Sequence, residues 1–292
     1  MILPFLAFLF VSFIGGSINP IFVKLGTLEV APMALTALRF VGATLVLLPF
    51  WYRKKEYIAL KDIYKIIPFS LNIGLFSIAI QYTSVTMTGI LYSTSPFFVA
   101  IFAHLLIKER ISKEQILGLL IAIVGIFLLT RESMQGGDVV SFGTPLGNGL
   151  ILLASAIFGL YPVGARSLSR SYSSLTIVFF SFATTAMLTM IAAAFEWHIR
   201  PFQGVHVTEV VTILLVLILI SSITFWYLYQ WLIKHVSAFV ASLTNYGTVV
   251  TAAISGAIVF EERVTLELII GAFLVVVGVF LATTYTQLKK QK

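Results

Sequence analysis

Two stretches of this chain match each other at a spacing of 153 residues, and the match restricts the fold severely. Glu109-Arg110 aligns with Glu262-Arg263, Glu114 with Glu267, Gly118 with Gly271, Gly125 with Gly278, Phe127 with Phe280 and Thr130 with Thr283. Each matched stretch sits near the end of a half that holds five apolar windows. Five is odd, so a second copy must enter a bilayer from the opposite side. Inverted repeats of this kind build carriers that rock around a central site. The expected fold is an all-α integral membrane protein: ten transmembrane helices in two inverted five-helix repeats, residues 1–140 and 141–292.

Composition excludes most alternatives. The chain is 59% hydrophobic and 11% charged, with a mean hydropathy of +1.02. That balance does not cover a soluble globule with polar surface. A net charge of +7 could suggest nucleic acid, but the basic residues lie in short loops between apolar runs, so no nucleic-acid partner is expected. No cysteine is present, which removes disulfides and thiolate sites. The first apolar run lacks a basic leader and is too long for a signal peptide, so it reads as a retained helix.

Windows of about 20 apolar residues, enough to cross the hydrocarbon, fall near 3–24, 31–51, 64–83, 86–107, 113–131, 146–167, 172–195, 208–233, 237–259 and 265–286. The longest connections, 132–145 and 196–207, leave no room for a soluble domain. Of the 19 lysines and arginines, fourteen fall in one set of loops and the C-terminal tail. Only Lys24, Arg131, Arg200 and Arg263 fall in the other set, and Arg39 lies inside the second span. The bias places both termini in the cytoplasm.

Matched weak points mark the expected site. The first span contains Gly15-Gly16-Ser17-Ile18-Asn19-Pro20, and its repeat mate, the sixth, contains Gly159-Leu160-Tyr161-Pro162. Proline removes a backbone donor and crowds the carbonyl four residues earlier. Either proline alone could be a packing kink; the matched pair points to hinges at Pro20 and Pro162 beside a cavity. Thr88, Tyr92 and Ser95 share one face of the fourth span. Asn245 and Thr248 occupy the positions of Tyr92 and Ser95 in the ninth span, so two polar stripes would face each other. Asn19, Asn72, Tyr92, Ser95, Tyr161, Trp226, Asn245 and Thr248 are the expected substrate contacts. Trp226 could equally belong to an interfacial aromatic belt.

Embedded charge is scarce. Arg39 would pair with a carboxylate, Glu29 being nearest in sequence, or would contact a substrate carboxylate. Lys24 and Arg166, repeat mates, are expected to snorkel. No Asp or Glu falls in the middle of a span, and His104 is the one mid-span group placed for proton coupling. Glu109 and Glu262 are expected to bind backbone donors or the following arginine at their own turns. The histidines are scattered, with no metal-ligand cluster, P-loop or nucleophile–base pair. No metal, cofactor or enzymatic activity is expected.

Ten spans in two halves, each half with a Glu-Arg turn and a glycine-bearing last helix, resemble the EamA family of the drug/metabolite transporter superfamily. Lys24 after Asn19-Pro20, and Ala37-Leu38-Arg39-Phe40, match the start of that family's repeat. The resemblance implies a central cavity lined by helices 1, 3, 4, 6, 8 and 9. It also implies export or exchange of amino acids and related metabolites across a bacterial inner membrane. No binding residue transfers by position. The expectation is an alternating-access carrier of zwitterions, as a monomer or homodimer. An uncoupled facilitator, and a carrier of drugs or sugar-nucleotide-type solutes, are the alternatives.

Overall fold

The computed structural model describes residues 2–107, 142–197, 206–235, 241–242, 244–263 and 265–280, with isolated helical residues between 117 and 128. Every regular element among them is helical. Six helices are long and apolar enough to cross a membrane: Leu9–Glu29, Pro32–Lys54, Val85–Phe102, Pro145–Leu168, Ser174–Glu196 and Val207–His235. Two shorter apolar helices, Ile67–Tyr82 and Gly247–Phe260, occupy the third and ninth expected windows. Large apolar side chains such as Leu45, Leu71, Leu105, Leu153, Met190 and Ile258 point outward. A surface of that kind suits lipid and not water.

The first span is α1 (Ile2–Phe13), a wide π-helical turn (Ile14–Ile18) and α2 (Asn19–Glu29). Then come α3 (Pro32–Lys54), α4 (Ile67–Ala79), α5 (Val85–Tyr92) and α6 (Ser95–Ile107). The second half holds α7 (Pro145–Leu168), α8 (Ser174–Trp197), α9 (Val207–Val216), a second π turn (Leu217–Thr224), α10 (Phe225–His235), α11 (Thr244–Phe260) and α12 (Leu266–Phe280). Proline opens α3, α4 and α7, where its missing N–H would have no helical partner. Side-chain caps start α5 and assist α7: Ser84 Oγ accepts from Met87 N and Thr144 Oγ1 from Gly147 N, at 2.9 and 3.1 Å. Lys55, in the left-handed region at φ 51°, ends α3.

Packing follows the repeat. The second and seventh spans, α3 and α8, lie together, as do α5 and α11 of the fourth and ninth. The third span packs on the sixth (α4 on α7) and the first on the eighth (α1 on α10). Exchanging the halves turns each of these pairings into itself or the other. Reciprocal capping follows the same rule. Glu196, at the end of α8, accepts from Met33 N (2.9 Å) and Ala34 N (3.3 Å) at the start of α3. Glu56, just past the end of α3, accepts from Ser173 N (3.0 Å), Ser173 Oγ (2.7 Å) and Thr176 Oγ1 (2.5 Å) at the start of α8. A carboxylate at a helix N-terminus satisfies free N–H groups and opposes the helix dipole.

Both prolines expected to break helices lie inside continuous helical segments, but only one is accompanied by widening. The π turn directly precedes Asn19-Pro20, whereas α7 runs unbroken through Pro162. The second widening falls in the eighth span instead. The reason lies in what surrounds the first break. Gly16 sits so close to α11 that a Cβ there would lie 2.5 Å from the Thr248 carbonyl oxygen. The Gly16 carbonyl, deprived of the proline N–H, accepts from Ser255 Oγ at 3.4 Å. Thr251 Oγ1 donates to Ser12 O at 3.2 Å, and Ser17 Oγ donates to Thr251 O at 3.1 Å. A hydroxyl seam from α11 thus pairs the backbone groups of the opened turn.

Burial raises the Glu56 pKa, but its hydrogen bonds from Ser173 and Thr176 outweigh burial and hold the carboxyl below its ordinary 4.5. A carboxylate with a depressed pKa stabilises the fold above its unfolded value and loses that contribution as pH falls through the folded one. Thermal stability is therefore expected to drop as pH is lowered below 4.5. Glu56→Gln should lower the melting temperature at pH 7 by about 2–4 °C and flatten the acid limb, as read by melting in detergent across a pH series.

Candidate functional site

A cavity of about 60 Å³ lies between the two halves, room for roughly four to six waters. The first span contributes Gly15, Asn19 and Pro20; the second, Arg39; the third, Asn72, Ile73 and Phe76. Thr88, Gly89 and Tyr92 come from α5, Phe158 from α7, Phe225 and Trp226 from α10, and Asn245 and Thr248 from α11. Both π turns border this space: one holds Gly15, and the other immediately precedes Phe225.

The walls are set by a few polar bonds. Asn72 Nδ2 donates to the Tyr92 hydroxyl and, at 2.7 Å, to the Ala154 carbonyl. It thereby ties α4 to α5 and α7. Asn245 Nδ2 donates to Ser95 Oγ at 2.5 Å, and Thr248 Oγ1 donates to the Asn245 carbonyl at 2.7 Å. Asn19 Oδ1 is buried with no hydrogen-bond partner among the described residues. Arg39 Nε donates to Ser222 Oγ (2.7 Å) and Nη2 to the Ser221 carbonyl (2.9 Å), both in the second π turn. The apolar side is aromatic. Trp226 meets Phe69 edge-on at 4.5 Å between centroids, Phe225 at 4.8 Å and Phe158 at 6.0 Å.

The structure gathers Asn19, Pro20, Arg39, Asn72, Tyr92, Trp226, Asn245 and Thr248 around one cavity. Ser95 lies just behind it, bonded to Asn245. Tyr161 does not reach the cavity. It is fully buried behind Trp226 and donates to Gln230 Oε1 at 3.3 Å. The reason is its place on α7, where Phe158, one turn earlier, takes the lining position. Pro162 likewise lies outside the lining. The His104 side chain lies outside the described residues. Phe76, Phe158 and Phe225 line the cavity beyond the expected contacts, because a search centred on intramembrane polarity passes over aromatic rings other than Trp226. Adjacency to Trp226 and the turn before Pro162 were the available signals for two of them.

Four charged residues take partners other than those expected. Glu29 does not pair with Arg39: its Oε2 meets His206 Nδ1 at 3.2 Å. Lys24 does not snorkel; its Nζ donates to the Thr83 carbonyl at 2.9 Å and lies 4.9 Å from the Phe260 ring centroid. Arg166 donates through Nη1 to the Ile233 and Lys234 carbonyls at 2.6 and 2.7 Å, closing the end of α10. Glu262 binds backbone donors, though not those of its own turn. It reaches across to Val85 N (2.7 Å) and Thr86 N (2.9 Å) at the start of α5. With Lys24 at Thr83, and Thr83 Oγ1 on Asn148 Oδ1 at 2.5 Å, these bonds join α2, the starts of α5 and α7, and the segment before α12.

A model of the EamA-like transporter family matches residues 3–131 and again residues 145–284. The chain belongs to the EamA-like transporter family. The family is part of the drug/metabolite transporter superfamily, and this member is a multi-pass membrane protein. It is similar to the uncharacterized transporter YetK of Bacillus subtilis (strain 168), 29% identical over 90% of this chain and 81% of YetK. The uncharacterized transporter YcxC of the same organism is 26% identical over 94% of this chain and 91% of its own. A solved crystal structure shares the fold at TM-score 0.64 and 18% identity, covering 97% of this chain and 96% of that one.

Within this EamA-like transporter, Asn72 is the polar group that binds the most cavity walls together. Asn72→Ala removes the tie to the Ala154 carbonyl and the bond to the Tyr92 hydroxyl, and should cost about 1–3 kcal/mol. Tyr92→Phe keeps the bond to Ala154 and should cost less. Melting of the two purified variants in detergent checks the order.

Proposed function

We propose that this chain is an alternating-access carrier of small metabolites, with amino acids and related zwitterions as its substrate class. The carrying observation is the composition of the cavity: amides and hydroxyls from both halves on one side, aromatic rings on the other, and a single charged residue, Arg39, in the lining. Such a wall suits a solute of no net charge with an apolar part. Sugar nucleotides bring several negative charges that one arginine does not neutralise. Cationic drugs would call for an acid, and the described lining has none.

In this reading the chain has ten spans in two inverted five-helix repeats, 1–140 and 141–292, in a bacterial inner membrane with both termini cytoplasmic. The halves rock about the α3–α8 and α5–α11 contacts. Bending occurs at Pro20 with its π turn, at the turn of the eighth span, and at Pro162, whose missing N–H leaves the cavity-lining Phe158 without its helical donor. At about 60 Å³ the cavity is contracted, so loading an amino acid requires the walls to move. Uncoupled facilitation is the second reading, favoured by the lack of any carboxylate in the described lining.

Counterflow into liposomes of purified protein, over a panel of labelled amino acids with and without a pH gradient, tests both. Uptake of a subset indifferent to the gradient is expected from a facilitating exchanger. Accumulation only with an inward proton gradient would overturn the uncoupled reading. No uptake of any amino acid would overturn the substrate class.

A further inference from the structure

Arg39 is 3% exposed inside a membrane-spanning helix, and its neighbours do not balance its charge. Among the described residues no carboxylate pairs with Arg39; the ion pairs Lys65–Asp62 and His206–Glu29 involve other residues. The Arg39 contacts are a neutral hydroxyl (Ser222), a backbone carbonyl (Ser221) and the Phe40 ring, 5.0 Å from its centroid. A guanidinium carries five N–H donors in a planar fork, and two of these are used here. A buried cation without a counter-ion is costly to maintain, and this one borders the central cavity. The same space holds an unpartnered acceptor, Asn19 Oδ1, and the Trp226 ring.

We propose that Arg39 binds the carboxylate of the transported solute and that this binding unlatches the eighth span. The inference rests on the carrier reading and names the charge recognised at its site. Guanidinium binds carboxylate bidentately through adjacent N–H groups. On the Nε–Nη2 edge of the fork, those groups now hold Ser222 and Ser221, and it is this edge that the solute is proposed to take. An arriving carboxylate therefore competes with the second π turn for one edge of the fork. Without solute, Arg39 on α3 fixes the turn that leads into Phe225 and Trp226. With solute, the turn is released and the aromatic wall can move. The opposite end of a zwitterion, its ammonium, finds Asn19 Oδ1 and the Trp226 face. A solute with a single carboxylate fits this arrangement; one with two or more has no second cation in the described lining.

The test compares wild type, R39Q and R39K on each amino acid of the counterflow panel and on its amino amide, which lacks the carboxylate. Solute-dependent thermal stabilisation of the purified proteins is measured alongside. In wild type the acid should stabilise and exchange at least about tenfold better than the amide, a difference of about 1.4 kcal/mol. R39Q should lose that preference while still exchanging the amide. R39K keeps the charge without the fork and should raise KM for the acid by at least about fivefold, which keeps the test valid if R39Q does not fold. Equal KM for the acid in wild type and R39K, or an unchanged acid-over-amide preference in R39Q, would overturn the inference. If wild type exchanges neither solute, the carrier reading fails on its own. Acid-specific stabilisation lost in R39K would then still support carboxylate binding, and its persistence would refute it.

Discussion

The carbonyl of Gly16 loses the donor four residues on, because Pro20 stands there, and hydrocarbon supplies none. Much of the central architecture answers this one deficit. The first span widens into a π turn, α11 brings Ser255 and Thr251 against the opened backbone, and Gly16 allows the approach. Gly89 makes the matching concession from α5, where a Cβ would lie 2.5 Å from that of Ala252. The ninth span is thereby gripped between the first and fourth. Asn245 and Thr248 emerge from that grip into the cavity.

A second constraint keeps the halves in register. Helix N-termini present free N–H groups that need acceptors, and here carboxylates from distant segments supply them. Glu56 and Glu196 cap each other's helices across the halves, and Glu262 caps α5. These interactions lie at the ends of spans, where charge is tolerated, while the middle is left nearly neutral. Arg39 is the exception. Its position between the cavity and the second π turn makes it the group through which solute could act on helix geometry.

Much of this was legible in the residues. The repeat, the apolar windows and the Asn-Pro break located the cavity, and the offset that placed Asn245 on Tyr92 and Thr248 on Ser95 brought those stripes to one space. What could not be read were partners distant in the chain. Nothing local to Glu262 says that it reaches α5, nor that Glu29 turns to His206 and leaves Arg39 to two serines. Pro162 looked equivalent to Pro20, yet α7 stays α-helical through it, because a proline alone does not dictate widening. The second π turn, at Leu217–Thr224, contains neither proline nor glycine, so breaker residues gave no sign of it.

The central claim is that one cavity serves both sides of the membrane in alternation. The protein has no cysteine, so Thr88→Cys places a single thiol in the lining. Its reaction with a membrane-impermeant thiol reagent, applied from each side of uniformly oriented vesicles, is the direct measurement. The account predicts labelling from either side, with solute added on one side shifting the balance between them. Labelling from one side only, under every solute condition, would contradict it.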